Sequence, residues 1–256
     1  MNATEAQPAS KASAPQRVVR IGGASGFWGD SCVGAPQLLA AGVDFLVFDY
    51  LAELTLSILA AARSKNPALG YATDFVEVTM RPLLRELLAR GTRVVSNAGG
   101  LNPQACAQAL AACAAQQGLA LRIAVVEGDD VLHLVPSLRA AGVRELQSEA
   151  PLPDTLLTAN AYLGALPIRQ ALDAGAQVVI TGRCVDSAVT LGVLMHCHGW
   201  GAQDYDLLAQ GSLAGHIIEC GCQATGGLHT DWESVPDWPH IGYPIVECAS
   251  DGSFTV

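Results

Sequence analysis

The sequence is short of positive charge: 14 Lys and Arg stand against 24 Asp and Glu, a formal net charge of −10 over 256 residues. Binding nucleic acid through its phosphates draws on clusters of Lys and Arg, and the chain has none. Long apolar runs are missing too. No segment approaches the roughly 18 uninterrupted apolar residues of a membrane span. The opening stretch MNATEAQPASKASAPQ lacks the apolar core of a signal peptide, and its small, polar and proline-rich content suits a disordered arm. The eight cysteines are scattered and come with no secretion signal, so free thiols in a reducing cytoplasm are expected rather than disulfide staples. Half of the residues are hydrophobic and only 15% are charged. A globular, soluble, cytoplasmic protein with no nucleic-acid and no membrane partner is therefore expected.

What is present is an alternation of short apolar runs with longer helical stretches. VVRIGG, FLVFDY, TRVVSNAGG, LRIAVVEGDD and QVVITGR read as buried strands. Between them, DSCVGAPQLLAAG, LAELTLSILAAARS, DFVEVTMRPLLRELLARG, NPQACAQALAACAAQQG and IRQALDAG read as helices. Pro82 marks a kink or a fresh start, and Asn102 with Pro103 forms a capped helix beginning. Strands apolar on both faces and separated by helices mean βαβ units and a parallel sheet. The expected fold class is α/β, with a mostly parallel sheet and flanking helices. An open doubly wound sheet is favoured because five strands fall short of a barrel. The expected organisation is a tail over residues 1–16, an α/β domain over 17–185, and a helical segment opening a further β-rich region over 186–256. Ending on FTV, that last part reads as cut from a longer chain or completed by a partner domain.

In parallel α/β sheets, ligands bind beyond the carboxyl ends of the strands. The first strand delivers Gly22, Gly23, Gly26 and Asp30, and the second Asp49 and Glu53. The third delivers Asn97, Gly99 and Gly100, and the fourth Gly128, Asp129 and Asp130. The fifth delivers Thr181, Gly182, Arg183 and Asp186. Each loop alone is ordinary turn chemistry, but all five on one edge point to a small-molecule site. The dinucleotide fingerprint is absent, since Ile21 stands where its first glycine would, and no Walker lysine follows. A glycine loop still offers backbone N–H groups to a carboxylate, a thioester oxygen or a phosphate of coenzyme A. Asp49 and Glu53 suit an acid–base pair, or a Mg or Mn site with Asp129 and Asp130; alternatively Asp49 caps the helix that contains Glu53. Arg183 is the single cation among these ends, placed either to neutralise its neighbours or to clamp a substrate carboxylate.

GHIIECGCQATGG, Gly215 to Gly227, concentrates reactive types. On a helix, His216, Glu219 and Cys220 share one face. The spacing gives no recognised zinc framework. Cys220 with His216 as base is a chemically sensible nucleophile, and a buried helix with a hydrogen-bonded histidine is the ordinary alternative. Glu219 sits among apolar neighbours, where burial would raise its pKa and suit it to proton transfer.

Together RIGGASGFWGD, FLVFDYLAE, VVSNAGGLNP, VVEGDD, VITGR and GHIIECGCQATGG resemble the acyclic terpene utilisation (AtuA-type) family, in the right order from about Arg17 to the last residue. The resemblance carries over to Gly26, Gly29 and Asp30, to Glu53, to Asn97 and Gly99, and to Gly128, Asp129 and Asp130. It continues through Thr181, Gly182 and Arg183, then Gly215, His216, Glu219, Cys220, Gly221, Thr225, Gly226 and Gly227. Cys184, Cys197 and Cys222 lie outside the pattern, which weakens any metal site built on them. The resemblance implies acyl-CoA catabolism beside a biotin-dependent acyl-CoA carboxylase. The substrate would be a coenzyme A thioester or its carboxylate, and the step a hydration, isomerisation or lyase reaction. A non-catalytic accessory protein of the carboxylase and a divalent-metal hydrolase are the alternatives. No cofactor is fixed by these residues: coenzyme A enters as the substrate's thioester, and Mg or Mn stays open. The expected partners are the acyl-CoA or carboxylate, the carboxylase or a C-terminal domain, and further copies of the chain. Family members are longer, so this chain reads as the N-terminal part.

Overall fold

The computed structural model describes residues 17–256; the tail expected over 1–16 lies outside the described residues. One seven-stranded sheet organises the chain. Its strands are β1 (Val19–Ser25), β2 (Phe45–Phe48), β3 (Arg93–Ser96), β4 (Ile123–Val126), β5 (Val178–Thr181), β6 (Ile245–Cys248) and β7 (Phe254–Thr255). They lie side by side in the order β4-β5-β3-β2-β1-β6-β7. The first five are mutually parallel, whereas β6 runs antiparallel to β1 and β7 antiparallel to β6. The expected open α/β sheet is therefore present. The strands of the last segment join the edge of this same sheet through Arg20–Glu247 and its neighbours.

The central strands β2, β3 and β5 are buried on both faces with the period of two that the pleat dictates. Leu46, Phe48, Val94 and Ile180 point to one core, and Phe45, Val47, Val95 and Val179 to the other. Helices α1 (Gly34–Ala40), α2 (Glu53–Lys65), α3 (Arg81–Arg90) and α4 (Pro103–Gln116) cover the first face through Leu38, Leu59, Leu84 and Leu110. A short helix, α5 (Val135–Ala140), follows β4. Helices α6 (Leu166–Asp173), α7 (Ala188–His198) and α8 (Tyr205–Ile218) cover the second face through Ile168, Val193 and Ala214. Handedness explains the sorting. Right-handed crossovers place helices on one face while the chain winds from β1 to β4, and on the other once it reverses from β4 back to β5. Among the described residues, no helix is long and apolar enough to cross a membrane.

Local departures have local causes. Pro82 falls in the first turn of α3, directly after a wide π-type turn over Phe75–Met80. A proline cannot donate to the preceding turn, so the chain widens before Pro82 and restarts as α3. The first helix begins at Gly34 rather than Asp30, because Asp30 folds back on its own loop and accepts from Gly26 N–H (3.0 Å) and Ser31 N–H (2.6 Å). Gly22 and Gly23, expected at the carboxyl end of the first strand, lie inside it, paired with Leu46 and Val47, and the strand runs on to Ser25. Their lack of a side chain admits Leu38 on one side and the Ile218 carbonyl on the other.

Candidate active site

Beyond the ends of β2, β3 and β5, three carboxylates converge. One oxygen each from Asp49, Asp186 and Glu219 lies within 4.8 Å of the other two. Asp49 follows β2 immediately and is 6% exposed. Asn97, fully buried at the end of β3, fixes it: its amide donates to Asp49 Oδ1 (2.6 Å), and its carbonyl accepts from Tyr50 N–H (2.7 Å). Both ends of that amide are in use, so Asn97 holds one orientation. Leu51 N–H also donates to Asp49 Oδ1, at 3.2 Å. Asp49 therefore does not cap α2, whose preceding residue Ala52 has no side-chain cap bond.

Glu219 arrives from the far end of the chain. Helix α8 stops at Ile218, and a tight turn over Gly221–Thr225 follows. Gly26 lets that end come close, because a Cβ there would stand 2.6 Å from the Cys220 carbonyl carbon. Gly26→Ala is therefore expected to destabilise the protein by about 1–3 kcal/mol through overpacking, read as a lower midpoint in urea denaturation at unchanged slope. The Gly26 N–H that an anion would use is already taken by Asp30, so the first loop is a packing joint rather than an open anion cradle.

Burial sets the protonation of the cluster. It pushes the Asp49 carboxyl up to about 7, with Asp186 and Glu219 adding to the rise and the Asn97 and Leu51 bonds opposing it. Burial likewise raises Glu219, followed by repulsion from Asp186, while hydrogen bonds with Asp49 and Cys220 pull it back. Carboxylates this close cannot all ionise cheaply. At neutral pH Asp49 therefore keeps part of its proton beside Glu219.

Arg183 is the cation at this edge, 4% exposed. Its Nη1 donates to Asp186 Oδ1 (2.7 Å) and to the Cys184 carbonyl (3.1 Å), and its guanidinium lies 4.2 Å from the centre of the Tyr162 ring. The Tyr162 hydroxyl donates to Glu53, and that bond holds the Glu53 carboxyl below its usual range. Glu53 is thus joined to Tyr162 and Arg183, not to Asp49.

Other expected residues take different places. Asp129 is buried and accepts from Arg183 N–H and Asn160 Nδ2, both at 2.8 Å. Gly182 has no side chain because the Asp129 carboxylate fills that space. Asp130 is exposed and caps Leu132 N–H. Gly100, Gly128, Asp129 and Asp130 line a separate polar cavity of about 300 Å³. Thr181 is fully buried and donates to the Gly182 carbonyl. Gly99 packs against the Thr181 carbonyl and Pro103. Thr225 donates to the Cys222 and Gly242 carbonyls, and Gly226 follows it in a left-handed conformation, φ 105°. Beside that turn, Val33, Cys222, Trp238, Ile241 and Tyr243 line an apolar groove of about 390 Å³.

His216 stays outside, its side chain 76% exposed and its Nδ1 3.7 Å from Glu219 Oε1. The Cys220 thiol turns to the same Glu219 oxygen, at 3.8 Å. Burial and the neighbouring carboxylates raise the thiol's pKa, which disfavours a thiolate. Tyr162, over Arg183, belongs to this edge without having been singled out, and Asp186, expected at the end of the fifth strand, joins the carboxylate cluster without a role having been assigned to it.

These features define an α/β protein of the open parallel-sheet class with a proton-sharing carboxylate cluster past its strand ends. The profile of the acyclic terpene utilisation family protein AtuA matches residues 19–256, and the chain belongs to that family. No curated protein matches the chain. No solved structure matches it.

Proposed function

We propose that the chain carries the acid–base centre of an acyl-CoA-converting enzyme in the breakdown of acyclic terpenes or branched acyl chains. The observation that carries this reading is the meeting of Asp49, Asp186 and Glu219 within 4.8 Å. Glu219 takes or gives the substrate proton. Asp49, sealed beneath and held by Asn97, stores it. Asp186 is committed to Arg183, which anchors the pair. Proton transfer by positioned carboxylates with raised pKa values is the working unit of hydration, isomerisation and lyase steps alike. The apolar groove beside Cys222 suits a hydrocarbon chain. The protein acts in the cytoplasm and assembles with further copies of itself.

The same three carboxylates favour a second reading, in which Mg or Mn bound by them activates water for hydrolysis. Exposed Tyr205, Leu213 and Ile217 on α8 favour a third, docking on an acyl-CoA carboxylase as an accessory protein. One experiment separates them. The protein is incubated in D₂O with saturated and unsaturated branched acyl-CoAs, with and without Mg or Mn, and followed by mass spectrometry. Metal-independent deuterium uptake or water addition is the expected result. Hydrolysis that needs the metal would replace the acid–base reading with the second. Inertness in both conditions, with capture by purified carboxylase, would replace it with the third.

A further inference from the structure

The protein does not satisfy Arg183 fully: Asp186, the Cys184 carbonyl and the Tyr162 side chain take only part of its donor set. A guanidinium presents five N–H donors, and Nε with Nη2 forms a fork that matches a carboxylate. Nη1 is spent on Asp186 and Cys184. Nη2 stands 3.9 Å from Glu53 Oε1, beyond hydrogen-bond reach. Nε is buried and finds no acceptor among the described residues. A buried N–H of a cation without an acceptor is costly and uncommon in folded proteins. At a strand-end edge next to three carboxylic groups, it points to a ligand oxygen.

What lies against the guanidinium is Tyr162. Its ring lies over the guanidinium, its hydroxyl reaches Glu53, and its residue remains 47% exposed. The backbone on either side is pinned: Ala161 N–H donates to the Asp129 carbonyl (2.7 Å) and Leu163 N–H to the Arg183 carbonyl (3.1 Å). The segment between α5 and α6 can therefore stay in place while the Tyr162 side chain turns outward. Glu53 would leave with it, since its side chain is 78% exposed.

Resting on the acyl-CoA reading of the site, we propose that the Nε–Nη2 edge of Arg183 is a subsite for a free carboxylate on the substrate's acyl part, covered by Tyr162 until substrate displaces it. The substrate class is then an acyl thioester that carries a second, ionised carboxyl group. A fork clamp here sets the acyl part against Glu219 while Nη1 keeps Asp186 in place. Lysine would preserve the charge but not the fork.

Calorimetry with malonyl-CoA, acetyl-CoA and malonate at pH 8 tests the subsite. Malonyl-CoA is expected to bind about tenfold or more tightly than acetyl-CoA, the difference that hydrogen bonds to a charged group make. Arg183→Lys is expected to erase the difference, and Tyr162→Ala to strengthen malonyl-CoA binding several-fold without changing acetyl-CoA. Equal binding of the two thioesters overturns the subsite and leaves the acyl-CoA reading standing. Arg183-dependent binding of malonate, with neither thioester bound, supports the subsite and overturns that reading. Failure of both malonate and malonyl-CoA to bind overturns the subsite. Should Arg183→Lys not fold, Tyr162→Ala decides: unchanged malonyl-CoA affinity overturns the cover.

Discussion

Glu219→Gln is expected to lower the rate of deuterium uptake or water addition on acyl-CoA by about 10²- to 10⁴-fold, the usual worth of a positioned acid or base. Acyl-CoA affinity is expected to stay within a factor of about three, because the group acts in the transition state rather than in binding. Glutamine fills the same space and keeps a carbonyl for the Cys220 thiol but holds no exchangeable acid proton. Glu219 is singled out by its surroundings: Asp186 is held by Arg183, and Asp49 is sealed below with Asn97. The pH profile should carry the signature of the pair. Activity is expected to fall as pH rises through about 7, where the Asp49 proton leaves, and to fall again in acid as the second carboxyl protonates. The apparent values belong to the pair, not to either residue. A Glu219→Gln protein that turns over at the wild-type rate would remove Glu219 from the chemistry.

Asp49→Asn is expected to make the protein more stable at pH 8 while abolishing activity. An unfolded Asp titrates near ~3.9, whereas burial holds the folded group near 7. Between those values the folded state keeps a proton that the unfolded state has lost. Stability therefore falls as pH rises from about 4 to about 7, and the full penalty applies above that. Asparagine removes the charge, can keep the Oδ1 bonds from Asn97 and Leu51, and gives its amide to the neighbouring carboxylates. The gain should be about 2 kcal/mol or more at pH 8, read as a Tm rise of roughly 4–8 °C for a chain of this size. The gain should shrink as the melts are repeated toward pH 5. Stability exchanged for activity is common at strained polar sites. An equal shift at pH 5 and pH 8 would mean that Asp49 is ionised throughout.

The sheet was legible because its determinants are local. VVRIGG, FLVFDY and QVVITGR are apolar at nearly every position, as strands buried on both faces are. Glycines after such runs are ambiguous in sequence: Gly22 and Gly23 prolong β1 to make room for Leu38 and the end of α8, a reason that lies elsewhere in the chain. Glu219 was legible as a carboxylate among apolar neighbours. Its partner was not, because Asp49 and Glu219 are far apart in sequence and meet only through the crossover that carries α7 and α8 back over the sheet. Glu53 was the nearer candidate partner for Asp49, yet one turn along the chain sends it to Tyr162 instead. Tyr162 itself left no periodic signal, since it sits in an irregular segment held by backbone bonds to Asp129 and Arg183.

The central claim is that a buried carboxyl among Asp49, Asp186 and Glu219 is still protonated near neutrality. Carbon-13 NMR of carboxyl-labelled protein, titrated from pH 4 to pH 9 beside Asp49→Asn, tests it directly. The account predicts one carboxyl carbon titrating near 7, absent from the Asp49→Asn variant and displaced in Glu219→Gln. A spectrum in which every carboxyl has titrated below about pH 5, the ordinary range for such groups, would contradict it.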